Sequence, residues 1–223
     1  MGTVRLIGRG FSDALEHLLL FALLTFAWWA AVLLVIPGPG ATIALFAMTD
    51  PRRAIDPPDW REAVAVARRN LRRGWALALL TVPLPVVLIW NLGFYGTDGG
   101  RLGWLIPVWV LLLGLFLALG AFAFSVSALT DAPAVDALKA GAVLVAARPG
   151  RAVFTSVIGW LLVALGTILV VPLVMLVPAL VAAIVNRVVA AGLGLAIVDP
   201  LAPTEERARE ERTRAGRRSR FGP

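Results

Sequence analysis

Apolar residues run almost unbroken through five stretches of the chain, residues 18–36, 74–92, 103–129, 153–171 and 178–198. Each is close to or above the roughly 20 residues that carry a helix across about 30 Å of hydrocarbon. The pattern predicts an all-α, polytopic membrane helix bundle with five long spans. Pro83 and Pro85 in the second stretch remove backbone donors and predict a kink there. The third is long enough to cross while tilted.

A sixth apolar piece breaks the series. After the first span the chain reads "IPGPGATIALFAM", and Ala41 to Met48 supply only about half of a crossing. Pro37, Gly38, Pro39 and Gly40 predict a turn, and the piece after it predicts a short returning helix. Two forms stay open: a half-depth helix packed on protein, or an external hairpin followed by a short crossing where the bilayer thins.

Two polar stretches between spans have helical periodicity. In "PPDWREAVAVARRNLRRGW", residues 57–75, Asp59 is a good N-cap and Glu62 stands in capping-box position. Trp60, Val64, Ala67, Leu71 and Trp75 share one face, and Arg61, Arg68 and Arg72 share another, with Arg69 and Arg73 adding to the basic run. This predicts an interfacial amphipathic helix with its arginines toward anionic head groups. The same residues also suit a plain topology anchor or a docking surface for an acidic partner. "TDAPAVDALKAGAVLVAARPGR" is a weaker copy, with Pro133 in the first turn, a Pro149-Gly150 stop and a stripe of Val135, Leu138, Ala142 and Val145.

Composition fixes the class. Hydrophobic residues make up 59% of the chain and mean hydropathy is +0.84, while charged residues, at 16%, fall well below the roughly one quarter of a soluble domain. With no cysteine, disulfides, thiol catalysis and thiolate metal sites are excluded. The first apolar stretch is too long for a signal peptide and reads as a retained span. Residues 1–198 form the expected transmembrane domain. Residues 199–223 form a charged cytoplasmic tail, expected to be largely disordered.

Charge sets the expected orientation. Arg5 and Arg9 precede the first span, and seven arginines lie from Arg52 to Arg73. Both groups belong in the cytoplasm by the positive-inside rule. They share a side only if the short helix returns the chain. The 93–102 loop then lies outside, and Lys139, Arg148, Arg151 and the seven arginines of the tail lie inside. The N and C termini are therefore expected in the cytoplasm, at the bacterial cytoplasmic (inner) membrane.

The stretch "GPGATIALFAM", after a long N-terminal span and before a basic segment, resembles the pattern near the start of the YesL-type family of bacterial membrane proteins. The likeness of layout covers about residues 8 to 198. Where many members have an asparagine just before Leu-Trp, this chain has "TFAWW"; Trp28 stands for the tryptophan and the asparagine has no counterpart. The resemblance implies an accessory role beside carbohydrate ABC importers, with ABC permease subunits as partners. It brings no catalytic residue.

Candidate chemistry is sparse. Asp13, Glu16 and His17 share a helix face and could offer a metal three ligands, but polar residues at the start of a first span usually sit among head groups. No catalytic site, cofactor, metal or nucleic acid is expected, and the chain is not expected to be an enzyme. Gly114 with Ala118, Ala121 with Ser125, and Ala182, Asn186, Ala190 and Gly194 are small or polar stripes suited to close helix contact in lipid. Arg187 lies near the middle of 178–198 and should face protein or water. Its expected partners are carbonyls freed at Pro83, Pro85 or the Pro-Gly turn, with Asn186 or Asn91 nearby, in a ligand pocket or a structural tie. The leading expectation is an accessory or scaffold protein of a transport system for carbohydrate uptake; the alternative is a small transporter or channel in its own right.

Overall fold

The computed structural model describes residues 7–8, 18–53, 59–97, 103–169 and 175–195. These residues are helical with short turns between, and none is in a strand. The helices are α1 (Leu18–Leu33), α2 (Gly38–Met48), α3 (Trp60–Arg69), α4 (Leu71–Thr81), α5 (Pro83–Thr97), α6 (Ile106–Thr130), α7 (Ala134–Ala147), α8 (Pro149–Leu169) and α9 (Val177–Gly192). The tail, together with Asp13, Glu16 and His17, lies outside the described residues.

Three stretches are long and apolar enough to cross a membrane: Leu71–Gly96, Gly103–Thr130 and Pro149–Leu169. The first joins α4 to α5 through Val82. Val82 N–H donates to the Ala78 carbonyl at 2.8 Å and Val86 N–H to the Val82 carbonyl at 3.1 Å, so the helix continues past two prolines that have no N–H to give. Within the described residues α1 and α9 are apolar but reach only 16 residues each. Among the described residues, three of the five expected long spans reach full length.

α4–α5 and α6 run antiparallel in a register fixed at three levels. The rings of Tyr95 and Trp109 stack at 6.2 Å, Gly120 packs on Thr81, and Arg73 pairs with Asp131 at 3.0 Å. α9 is buried on nearly its whole circumference, from Ala179 and Leu180 to Val189 and Ala190, and packs on α6, α8, α1 and α2. A helix buried on all sides is the helix a bundle puts at its centre.

α2 shifts the turn read from the sequence. The chain turns at Leu34 to Pro37, not over Pro37, Gly38, Pro39 and Gly40. Val35 takes the left-handed conformation (φ 61°), rare for a β-branched residue. Gly38 already begins α2, and Pro39 sits in its first turn, where a missing donor costs nothing. A Cβ on Gly40 would lie 2.5 Å from the Ala67 carbonyl oxygen, and one on Gly74 would lie 2.5 Å from the Pro39 carbonyl. The first glycine is thus needed for backbone approach, not for turning.

These contacts place the N-terminal end of α2 beside Gly74, at the end of the bundle where Arg73 meets Asp131. Its C-terminal end is at the same level, because Arg52 Nη2 donates to the Leu129 carbonyl at 2.8 Å and Asn186 joins Phe46 to Ser125. α2 therefore runs across that end of the α4–α6 pair, on which α1 folds back. The chain reverses beside Trp75, whose Nε1 donates to the Ile36 carbonyl at 2.9 Å. α7 also lies at this end. Gly141 fits against the backbone of Ala123, and Leu144 meets Gly192 at the end of α9. The face α7 buries is the small-residue stripe Ala134, Ala137 and Gly141; Val135 and Ala142 of the apolar stripe are exposed.

Candidate functional site

The polar groups of the bundle gather at this one end. Asn186 is fully buried and uses both sides of its amide: Oδ1 accepts from Ser125 Oγ at 2.6 Å, while Nδ2 donates to the Phe46 carbonyl at 2.6 Å and to Thr49 Oγ1 at 3.0 Å. Three helices, α2, α6 and α9, are pinned by that side chain. Nearby, Arg52 grips the buried Asp50 carboxylate, with Nε at 3.0 Å from each oxygen and Nη2 at 2.7 Å from Oδ2. The hydrogen bond to Asp50 is the main cause raising the Arg52 pKa above its ordinary range, helped by the charges of Asp50 and Asp131 and opposed by partial burial. The same guanidinium caps the Leu129 carbonyl in the last turn of α6, where a cation favours the helix dipole.

Beside this cluster lies an elongated apolar groove of about 490 Å³, in the size range of ligand pockets. α2 forms its floor through Ala41, Ala44 and Leu45. α1 forms one wall, including Leu24 and Trp28, and α3 the other, with Trp60, Ala63, Val64 and Ala67 leading into Leu71. Each wall repeats at three- and four-residue intervals, so one face of each helix is spent on the groove. Trp28 is fixed there, its Nε1 donating to Thr42 Oγ1 at 3.0 Å. The polar lining residues are Asp59 and Arg68, both on the α3 wall.

The basic residues fall into two groups. Arg61, Arg68, Arg69 and Arg72 are exposed, Arg61 lying 5.6 Å above the ring of Trp60. Arg73 is instead committed to Asp131. Asp59 caps α3, its carboxylate accepting from the Arg61 N–H at 3.2 Å. Glu62 pairs with Arg53 at 2.6 Å, an ion pair that replaces the capping-box contact expected for it. The apolar face of α3 lines a groove shared with α1 and α2. Near Trp75 the helix is interrupted at the buried Asn70, whose Nδ2 donates back to the Val66 carbonyl.

Arg187 is buried, 1% exposed, on the central helix and makes an interaction of its own. α9 ends at Gly192, so Arg187 stands about 8 Å from the helix end by the rise per residue and not at its middle. Asn186, its neighbour in sequence, is committed to Ser125, Phe46 and Thr49. Asn91 is half-buried on α5, which packs on α6 and α4. No hydrogen bond among the described residues joins Asn91 to Asn186. Gly194, expected in the α9 stripe, follows the helix end with φ 70°.

Among the described residues no group of three His, Asp or Glu side chains is placed to hold a metal. Sequence reasoning missed the Asp50–Arg52 clasp and the Gly40–Gly74 interlock. The first has a local signal, an acid two residues before an arginine at the end of an apolar helix. The second has none, because neither glycine reveals its partner. Comparison with family models, with curated proteins and with solved structures finds no match to this chain.

Proposed function

We propose that this chain is a multi-pass protein of the bacterial cytoplasmic membrane that serves as a non-catalytic accessory or scaffold subunit of a transport system, acting in carbohydrate uptake. The observation that carries this reading is the closed polar cluster around Asn186. Its hydrogen bonds run among α2, α6 and α9, so the polar groups act as ties between helices. A transporter needs polar groups that converge on a midplane site. The carbohydrate assignment rests on the YesL-type resemblance of residues 38–48 and surroundings.

In this reading the crossings are α4–α5, α6, α8 and α9, an even number that keeps both termini in the cytoplasm. The α1–α2 hairpin, α3 and α7 form a layer at the cytoplasmic end. That arrangement puts Arg52 through Arg73 with Lys139, Arg148 and Arg151 on one side, as the positive-inside rule asks, without a half-length crossing. Purification in mild detergent tests the function. Permease subunits of an ABC importer are expected to co-purify in fixed ratio, and solute uptake by proteoliposomes holding this chain alone would contradict the scaffold reading.

A further inference from the structure

We propose that the groove between α1, α2 and α3 is a binding site for one anionic phospholipid, with an acyl chain on the floor formed by Ala41 and Ala44 and the phosphate held by Arg68 and Arg61. The shape supports the chain. The groove is apolar, and its α1 wall, from Leu20 to Ala31, runs about 16 Å by helix rise over a floor of Ala41, Ala44 and Leu45. Charge supports the head group. Arg68 lines the groove itself, and Arg61 stands over Trp60, another lining residue, so two cations flank one wall.

Of the acids nearby, Glu62 is engaged by Arg53, while Asp59 keeps its charge as the cap of α3, at the end of the wall away from Arg68. Arg73, by contrast, is held by Asp131 and takes no part. Trp60 is 66% exposed, and a ring with an apolar body and a polar N–H is suited to the level where head group meets chain. Trp28 closes the opposite wall in a fixed rotamer, through its bond to Thr42. The inference is distinct from general attraction to a negative bilayer, because it calls for one lipid in a shaped site with both parts required.

The test uses the full-length chain, stripped of lipid in detergent and given either phosphatidylglycerol or phosphatidylcholine with identical acyl chains, with native mass spectrometry as the readout. One phosphatidylglycerol per chain is expected, bound about tenfold or more tighter than phosphatidylcholine, whose choline cation the two guanidinium groups repel. Arg61→Gln with Arg68→Gln should bring the two lipids to nearly equal affinity. Ala41→Phe, or Ala63→Phe if the first misfolds, should fill the groove and weaken both lipids about tenfold. Lys139→Gln with Arg148→Gln, which removes the same charge elsewhere, should change nothing. Equal affinity for the two lipids in the unaltered chain would overturn the proposal, as would undiminished selectivity in the arginine variant. So would full binding by a folded groove-filled variant, or a second copy of the chain cross-linking through Ala41 in place of lipid.

Discussion

Among the described glycines, Gly40 and Gly74 leave the least room for a side chain, Gly40 facing Ala67 and Leu71 and Gly74 facing Pro39 and Gly40. A methyl group at either would meet backbone atoms at 2.5 Å, which cannot move as a side-chain tip can. Gly40→Ala and Gly74→Ala should each cost about 1–3 kcal/mol, seen as a lower melting temperature in detergent. Gly150→Ala, at a position with nothing within 4 Å, should be neutral or slightly stabilising. Asn186 offers a second test. Asn186→Ala leaves the Ser125 hydroxyl without its partner and takes the amide donor from the Phe46 carbonyl, and should cost about 1–3 kcal/mol. Ser125→Ala should cost less, and the double variant should fall short of the sum, because the two side chains share one bond. Arg187 was legible as a residue that must face protein, and it is buried; that Asn186 would be occupied elsewhere was not, since an amide on a helix face does not say which neighbour its partners come from.

Local rules read well where an element is governed by its own sequence. The Asp59 cap is such a case, and Asp59→Ala should destabilise the protein by about 0.5–2 kcal/mol. Glu62→Gln should stay within about 0.5 kcal/mol by the same measurement, since its pair with Arg53 is exposed. If Glu62 proves as costly as Asp59, the capping box operates in solution after all. The turn before α2 was misplaced by about three residues for a physical reason. Proline and glycine predict turns because of their backbone conformation, yet here Pro39 serves a first helical turn and Gly40 a helix contact, while Val35 takes the strained position. Likewise the buried stripe of α7 consists of alanine and glycine, whose small size is what lets it approach α6, and hydropathy ranks Val135 above them.

At the scale of the molecule, apolar run length alone cannot tell a helix that crosses from one that lies across the end of a bundle. The three stretches 71–96, 103–130 and 149–169 are long enough to cross by length and composition. For α1 and α2 the deciding facts are tertiary: Trp75 bonded to Ile36, Gly74 against Pro39, and Arg52 on Leu129. They bring the turn between α1 and α2 to the end of the bundle that carries Arg73 and Asp131. A first span that crossed the membrane would put that turn on the opposite side from those residues. The chain has no cysteine, so single cysteines can be introduced without a background. Labelling of Ile36→Cys, Asp131→Cys and Asp98→Cys in intact cells by a membrane-impermeant maleimide tests the arrangement most directly. The account predicts that Asp98→Cys alone reacts from outside, and that Ile36→Cys, like Asp131→Cys, reacts only after the membrane is opened. Reaction of Ile36→Cys from outside, with Asp131→Cys protected, would contradict it.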